Sequence, residues 1–441
     1  MPLDARVRGG PQVYDLIVIG AGLAGLVAAH TAAQAGLKVK VIAKGLGALH
    51  WGAGTVDVLG YYPDEHSPIE RPLEAVPRLA AAAPNHPYAL VSAGGLDEAL
   101  RGFVALTQEM GLPYAGAADG RNLWLPSPAG AARPAYLAPQ GQWPGRLERP
   151  GEGAPLLIVG LAGMRDFYPQ MVATNLARLG YAARAAALPL DLITARRDSN
   201  TAQLALALDA PAARSRLAAA LKRLVQPGER VGLPAIVGLK DHPAALAQLQ
   251  AEAGAPAFEI PTLPPSVPGM RLYAALRRRL QSLGVRLEIN LEIIALRAEG
   301  GRVVSVDTET SARPLRHEAR GFLLATGGVL GGGITSDYLG NARETAFGLP
   351  LALPQEGEPW FRPRFFDPAG HPFFRAGVPV NRRFQPVDAG GAPVYENVWA
   401  AGGLLAHADP IRERSLEGIA IATGVAAARQ AAEALRAPSL G

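Results

Sequence analysis

The first strongly patterned part of the chain is an unbroken apolar run at residues 16–19, which stops abruptly at Gly20. A short apolar run bounded by glycine is typical of a parallel strand that is buried on both faces. A stretch of small apolar residues at 26–35 predicts a helix, and a second apolar run at 38–43 predicts another strand. The order strand, helix, strand indicates a βαβ unit at the start of an α/β fold.

The later pattern predicts an inserted α/β lobe and then a return to the first sheet. Residues 61–150 are rich in proline, alanine and glycine, and their weak periodicity predicts an irregular lobe with helices such as 96–110. Four prolines between residues 261 and 268 disfavour both helix and central strand, so we interpret this piece as the hinge where the chain re-enters the first domain. We predict further strands at 156–159, 203–208, 231–237, 285–289 and 321–325, helices at 211–225, 243–253, 271–283 and 415–434, and a hairpin around 299–302.

The turn after the first strand reads Gly20-Ala-Gly-Leu-Ala-Gly. Gly20 and Gly22 free the backbone to turn sharply and to approach a phosphate, and Gly25 lets the helix lie close against the strand. The first N–H groups of that helix have no partner within it and carry the positive end of its dipole, so they favour a phosphate. A structural turn without a ligand is the alternative, but the βαβ context favours nucleotide binding.

The second strand of the unit ends in Lys44-Gly45. A dinucleotide site normally has Asp or Glu here, about 20 residues beyond the glycines, to hold the adenosine ribose hydroxyl. Lysine cannot accept a hydrogen bond from that hydroxyl, but it can pair with a phosphate. The position therefore favours a mononucleotide.

Composition limits the class of protein. The 441 residues are 49% hydrophobic and 18% charged, which is typical of a globular protein with more than one lobe. The net charge of +5 is spread along the chain, and we interpret the densest cluster, 277–279, as a solvated helix face rather than a nucleic-acid site. With no cysteine, the chain has no disulfide and no thiolate iron–sulfur ligand, which fits a reducing compartment. No apolar run is long enough to span a bilayer, and residues 1–12 have no apolar secretory core.

Three further glycine-rich segments are expected to border the same ligand. Residues 45–54 follow the second strand and contain His50, which is either a structural histidine or a contact to a flavin or substrate. Residues 326–328 end a predicted strand, and residues 402–403 precede the closing helix. The first turn of that helix offers free N–H groups to a ring carbonyl or ribityl chain.

Several of these motifs resemble a known family. The Gly20 fingerprint, Leu323-Leu-Ala-Thr-Gly-Gly and Glu396-Asn-Val-Trp-Ala-Ala-Gly-Gly are similar to the flavin subunits of fumarate reductase and succinate dehydrogenase. Within that superfamily the whole chain resembles the B-subunit family of anaerobic glycerol-3-phosphate dehydrogenase. The closer match is carried by Ala48-Leu-His-Trp-Gly-Ala-Gly-Thr-Val-Asp-Val-Leu, His86-Pro-Tyr, Gly160-Leu-Ala-Gly-Met-Arg-Asp-Phe, Leu263-Pro-Pro-Ser-Val-Pro-Gly-Met-Arg-Leu and Asp409-Pro-Ile.

The resemblance implies an α/β fold with a Rossmann-like flavin-binding domain of the glutathione-reductase type and a large inserted α/β capping lobe. We expect the flavin-binding domain at 1–60, 263–330 and 393–441, the inserted lobe at 61–262 and a small second insertion at 331–392. The expected cofactor is FMN, bound non-covalently, with FAD as the alternative and no metal. Its expected contacts are Gly20, Gly22, Leu23, Ala24, Gly25, Lys44, Gly45, Leu49, His50, Gly52, Gly54, Thr326, Gly327, Gly402 and Gly403.

The same resemblance implies oxidation of glycerol 3-phosphate beside the FAD-containing, catalytic A subunit, with electrons passed to quinone through the iron–sulfur, membrane-anchoring C subunit. The chain itself would then be cytoplasmic and held at the inner face of the membrane by those partners. Such a reaction needs a base for the C2 hydroxyl proton and a cation for the phosphate. His50 and His407 are the candidate bases, and Arg271 is the candidate cation. Two other hypotheses are an independent fumarate-reductase-like enzyme and a non-catalytic flavin-binding protein that serves as an electron relay or scaffold.

Overall fold

The computed structural model describes residues 13–63, 65, 67–196, 198–355 and 357–436. Residues 1–12, on which the expectation about a secretory segment rests, lie outside this part. The strands are β1 (Tyr14–Ile19), β2 (Val39–Ala43), β3 (Tyr114–Ala115), β4 (Leu123–Pro126), β5 (Ala132–Ala135), β6 (Ala138–Pro139), β7 (Leu156–Ala162), β8 (Ala183–Pro189), β9 (Arg230–Pro234), β10 (Ala257–Ile260), β11 (Arg286–Ile289), β12 (Ile293–Glu299), β13 (Arg302–Thr308), β14 (Leu315–Leu324), β15 (Ile334–Ser336), β16 (Ala342–Glu344) and β17 (Val398–Ala400).

Eleven α-helices lie between and after these strands in the described residues. They are α1 (Leu23–Gln34), α2 (Pro72–Ala82), α3 (Pro87–Val91), α4 (Ala93–Glu109), α5 (Pro169–Arg178), α6 (Thr201–Ala207), α7 (Pro211–Lys222), α8 (His242–Ala253), α9 (Val267–Ser282), α10 (Pro410–Glu413) and α11 (Leu416–Arg436). Both βαβ strands and their connecting helix are present where the sequence predicts them.

The main sheet contains the predicted βαβ unit at its centre. Its strand order is β11-β2-β1-β14-β13-β12, and β17 also pairs with β14. β1, β2, β11, β17 and the last part of β14 run parallel, whereas the first part of β14 pairs antiparallel with β13. The parallel strands end at the same edge of the sheet, and this brings the glycines after β1, β2, β14 and β17 together.

Helices α1 and α11 cross in close contact beside this sheet. A Cβ atom at Gly424 of α11 would lie 2.7 Å from the carbonyl oxygen of Ala24 in α1. The absence of a side chain at Gly424 therefore allows the two backbones to approach. This contact places the second and third turns of α11 against the first turn of α1.

The second lobe has its own parallel sheet, with the strand order β10-β9-β7-β8. Its buried core is built from residues between Leu147 and Ile260, whereas earlier residues such as Leu96 and Tyr114 pack into the core of the main sheet. An inserted α/β lobe is thus present. The domain boundaries given above remain a prediction.

Two predicted elements differ in the structure. Residues 203–208 were expected to form a strand, but α6 covers most of them, and its first turn is fixed by reciprocal bonds between Asn200 and Gln203. The proline-rich crossing was expected to exclude helix, but α9 begins inside it, at Val267. Pro268 is accepted there because the first turn of a helix does not use the missing N–H group.

Candidate flavin site

The three fingerprint glycines have different surroundings. Gly20 has a φ of +116°, and a Cβ atom there would lie 2.2 Å from the carbonyl oxygen of Ala325. A Cβ atom at Gly25 would lie 2.0 Å from the carbonyl oxygen of Gly20. Gly22, which precedes α1, has ordinary extended dihedrals, and its Cβ position faces open space. Gly20 and Gly25 therefore permit close packing, and Gly22 borders the space in front of the helix.

Leu23 and Ala24 follow in the first turn of α1, and both are buried. Their side chains are held in the core, so only the backbone of this turn can face a ligand. No side chain caps the N-terminus of α1 in the described structure. Its N–H groups are therefore available to a phosphate.

The segment that follows β2 lies over this turn. Gly47 has a φ of +73°, and a Cβ atom there would lie 2.6 Å from the Cα atom of Gly22. Gly45 borders open space, as Gly22 does. The carbonyl oxygen of Leu49 would lie 1.7 Å from a Cβ atom at Gly269 of α9. The segment is therefore pressed between the phosphate turn and α9.

The same segment continues past two more predicted contact residues. A Cβ atom at Gly54 would lie 2.3 Å from Cβ of Pro268, and one at Gly52 would lie 3.8 Å from a carboxylate oxygen of Glu417. Gly54 thus packs against the start of α9, and Gly52 faces the start of α11. The segment connects the phosphate turn with the first turn of the closing helix.

Lys44 has a partner that the sequence did not reveal. Its ammonium nitrogen lies 2.9 Å from a carboxylate oxygen of Glu292, which follows β11. Both side chains are largely exposed, and they border a cleft of about 360 Å³ with Asn290 and Glu309. A carboxylate is therefore present near the end of β2, although the loop after the neighbouring strand β11 supplies it.

His50 ends a short 3₁₀ helix in the glycine-rich segment. Its backbone carbonyl accepts a hydrogen bond from the N–H of Ser266 (2.8 Å), and its ring centroid lies 5.0 Å from that of Tyr273. Nδ1 of His50 and the hydroxyl of Tyr273 are both buried without a hydrogen-bond partner. Burial lowers the pKa of His50, so the ring is neutral near pH 7.

The loops after β14 and β17 complete the predicted set. A Cβ atom at Gly328 would lie 2.3 Å from the carbonyl oxygen of Gly403, and the N–H of Gly402 donates to the hydroxyl of Thr423 in α11 (2.8 Å). Gly327 has a φ of +82°. The hydroxyl of Thr326 is buried without a partner. These two loops therefore pack against each other and against α11.

The other two candidate catalytic residues, Arg271 and His407, have different surroundings. Arg271 is buried, and its guanidinium donates to both oxygens of Glu259 (2.5 and 2.9 Å) and to the carbonyl oxygens of Gly238 and Val237. The expectation that Arg271 holds a phosphate is corrected accordingly, because its donors are occupied by this internal ion pair. His407 lies at the surface, with its backbone in the left-handed region, and partial burial and then the nearby His86 lower its pKa.

A polar cluster that sequence reasoning missed lies at the start of α11. Nη1 of Arg133 donates to the hydroxyl of Thr55 (2.9 Å) and to both oxygens of Asp57 (3.1 Å each). The guanidinium of Arg414 lies 3.9 Å from Asp57. Burial, and then the charge of Asp57, raise the pKa of Glu417 to about 8. Asp57 lies within a motif quoted above, but its pairing with a residue 76 positions away has no sequence signal.

The surroundings fit a flavin. Three buried polar atoms without partners border the cradle, on His50, Tyr273 and Thr326, and a ligand with polar edges would satisfy them. Trp51 and Leu330 expose 73% and 72% of their surface on two of the same segments, where a flat apolar ring system would cover them.

Two other kinds of feature do not occur in the described ranges. No group of His, Asp and Glu there is suited to a metal ion, and none of the helices there is long and apolar enough to cross a bilayer.

Comparisons with known proteins agree with this interpretation. Residues 15–419 match the family described as FAD binding domain. The B subunit of anaerobic glycerol-3-phosphate dehydrogenase from Yersinia pestis bv. Antiqua (strain Antiqua) is 32% identical over 424 residues, which cover 95% of this chain and 97% of that protein. The protein of the same name from Vibrio cholerae serotype O1 is 31% identical over 426 residues, which cover 95% and 96%.

Solved structures are more distant in sequence. The open conformation of a flavocytochrome c3 fumarate reductase matches with a TM-score of 0.47 and 12% identity, over 97% of this chain and 79% of that chain. A 3-ketosteroid Δ1-dehydrogenase from Sterolibacterium denitrificans matches with a TM-score of 0.46 and 13% identity, over 96% of this chain and 100% of that chain.

Proposed function

The chain belongs to the FAD-binding flavoprotein family and, within it, to the B-subunit family of anaerobic glycerol-3-phosphate dehydrogenase, and from this premise we propose that it oxidises sn-glycerol 3-phosphate to dihydroxyacetone phosphate. It is a flavin oxidoreductase. The observation that carries the proposal is the convergence of four glycine-rich segments on the N-terminus of α1. They form one cradle for a flavin and leave the neutral ring of His50 beside it.

The reaction removes two electrons and two hydrogen nuclei from the substrate, as a hydride from C2 and a proton from the C2 hydroxyl. A bound flavin supplies the acceptor for the hydride. We assign proton acceptance to His50, because its Nδ1 is buried without a partner and its lowered pKa keeps the ring neutral. His407, the other candidate base, lies at the surface.

For the cofactor itself we propose FMN, held non-covalently. The carboxylate nearest the end of β2, on Glu292, is engaged by the ammonium of Lys44, and Gly47 lies directly on the phosphate turn. FAD, which the description of the family names, is the alternative. Its ribose would then use Glu292, and its adenine would occupy the adjoining cleft.

We further propose that electrons leave through an iron–sulfur partner to quinone and that the partners hold this chain at the inner face of the membrane. The relatives are named as subunits, which supports an assembly of several chains. The chain has no cysteine, so a thiolate-ligated cluster belongs to another protein of the assembly. The partners we propose are an FAD-containing A subunit, which shares the catalysis of the complex with this chain, and a membrane-anchoring C subunit.

The test of this function is anaerobic reduction of the purified flavoprotein. Glycerol 3-phosphate is expected to bleach the flavin absorbance, and glycerol at the same concentration is not. The Gly22→Val protein provides a flavin-free control for absorbance that does not come from the site. If the flavin of the isolated chain stays oxidised but is bleached after partner proteins are added, the substrate chemistry belongs to a partner and this chain relays electrons.

A further inference from the structure

We propose that Arg133 and Arg414, which flank Asp57 at the start of α11, form the subsite that binds the phosphate of a phosphomonoester substrate. This inference rests on the proposed function and adds the residues that select an anionic substrate. Neither arginine belongs to the motifs from which the site was predicted. The cluster contains the buried positive charge that Arg271, engaged by Glu259, cannot offer.

Arg133 is the buried half of this subsite. Only 8% of its surface is exposed, and its Nη1 is engaged by Thr55 and Asp57. Its Nη2 is buried without a hydrogen-bond partner. A guanidinium presents its donors as a planar fork, and a buried donor without an acceptor is costly, so an incoming phosphate oxygen would satisfy it.

Arg414 is the open half. Its backbone lies in the left-handed region, with a φ of +53°, and its side-chain stem packs so closely over Gly60 that a Cβ atom at that glycine would lie 2.9 Å from Cβ of Arg414. Pro134, next to Arg133 in β5, contacts the same glycine position. The stem is therefore held beside Arg133, while 44% of the Arg414 side chain remains exposed. An anion can approach from this side.

The local charge also favours an anion. The two guanidinium groups face one carboxylate, that of Asp57. Glu417, whose pKa is raised to about 8, is mainly protonated at neutral pH and adds no negative charge. Arg133, Arg414, Asp57 and Glu417 together thus carry a net charge of about +1, which attracts a phosphate but not an uncharged polyol. The nearby carboxylate of Glu413 is engaged by the ring of His86 and the hydroxyl of Ser415.

The subsite also lies next to the flavin cradle. Glu417 is half-buried, and its carboxylate oxygen would lie 3.8 Å from a Cβ atom at Gly52, one of the predicted flavin contacts. The hydroxyls of Tyr88 and Tyr114, which also face Glu417, donate to the carbonyl oxygens of Val58 (2.5 Å) and Gly54 (2.6 Å). Neither phenol adds charge.

The experiment measures anion binding directly. Isothermal titration calorimetry of the flavin-loaded protein with inorganic phosphate at about pH 7 is expected to give saturable binding. Arg414→Gln should weaken it ten- to a hundredfold, as loss of a charge-assisted contact does, and Arg133→Lys should weaken it while keeping a charge beside Asp57. The matched control is Arg297→Gln, because Arg297 is an exposed arginine paired only with Glu299 in the described contacts. It should bind phosphate as the unaltered protein does.

A pH series with sulfate adds a second readout, because sulfate keeps the same charge across the range. Its affinity should fall as pH rises through about 8, since Glu417 then ionises beside the bound anion. Burial raises the pKa of Tyr88 and of Tyr114, the two phenols that face Glu417, so neither of them ionises in this range. A sulfate affinity that is constant from pH 7 to 9 would contradict the assignment.

The outcomes separate this inference from the proposed function. If phosphate binds with Arg414-dependent affinity but glycerol 3-phosphate bleaches the flavin neither in the isolated chain nor after partner proteins are added, the subsite stands and another phosphomonoester is the substrate. The rate of bleaching can also be measured at increasing concentrations of glycerol 3-phosphate. If the concentration that gives half the maximal rate is the same in folded Arg414→Gln as in the unaltered protein, the function stands and the subsite is wrong. Unchanged phosphate affinity in both folded, flavin-loaded variants also overturns it.

Discussion

Replacing Glu417 by glutamine is expected to stabilise the fold at alkaline pH and to leave its stability nearly unchanged at acidic pH. Glutamine keeps the shape of the protonated side chain but cannot ionise. In the folded chain, burial and the charge of Asp57 raise the pKa of Glu417 from its ordinary 4.5 to about 8. The folded state therefore resists an ionisation that the unfolded chain undergoes freely.

The sign of the effect follows from linkage. Below about pH 4.5 the carboxyl is protonated in both states, and its full contribution to stability is present. Between 4.5 and 8 only the unfolded state loses the proton, so stability falls as pH rises, and the loss is complete above 8. At about 1.4 kcal/mol per pKa unit the shift corresponds to roughly 5 kcal/mol. Partial solvent access reduces this to about 3 to 5 kcal/mol at pH 9 and about 2 to 3 kcal/mol at pH 7.

The assay is urea unfolding, followed by tryptophan fluorescence at about pH 5, 7 and 9. Glu417→Gln should gain stability relative to the unaltered protein as pH increases. The matched control is Glu98→Gln, because Glu98 is an exposed carboxylate paired with Arg429 and its pKa is lowered by that arginine. It should show no such gain. A Glu417→Gln difference that is constant with pH, or a loss at pH 9, would refute the reasoning.

Three further predictions concern the flavin. Gly22→Val should fold, because the backbone there is extended and the Cβ position is open, but should lose its flavin; a normal flavin content would contradict the phosphate site. His50→Ala should keep flavin but shift its reduction potential or slow its reduction, whereas an unchanged spectrum, potential and rate would make His50 purely structural. Glu292→Ala should leave flavin content unchanged if FMN is bound, and a fall in content measured by absorbance would favour FAD.

The parts of the fold that the sequence predicted correctly are those specified by local patterns. The apolar run of β1, its glycine turn and the start of α1 are adjacent in the chain, so their geometry is readable from spacing alone. The hairpin between β12 and β13 follows in the same way from Gly300 and Gly301, whose φ values are +55° and +77°. These elements needed no knowledge of distant contacts.

The sequence-based predictions were wrong or incomplete where helix and strand patterns overlap, and where a side chain pairs with a residue far away in the chain. Residues 203–208 alternate apolar and polar or small side chains, which favours a strand, but the Asn200 and Gln203 capping box decides for helix. β10 was missed because its four residues give too little periodicity. The pairs Arg271 with Glu259, Lys44 with Glu292 and Arg133 with Asp57 depend on tertiary packing. The ion pairs around the site therefore could not be predicted from the sequence, whereas its glycine-rich turns could.

The central claim, that this single chain binds one flavin non-covalently in the glycine cradle, is tested most directly by acid precipitation of the purified protein and mass spectrometry of what is released. The account predicts that all yellow colour enters the supernatant, as about one FMN per chain, and that none is present in Gly22→Val. FAD in the supernatant would correct the cofactor and place its ribose on Glu292. A well-folded protein purified without flavin, or flavin that stays with the precipitated chain, would contradict the account.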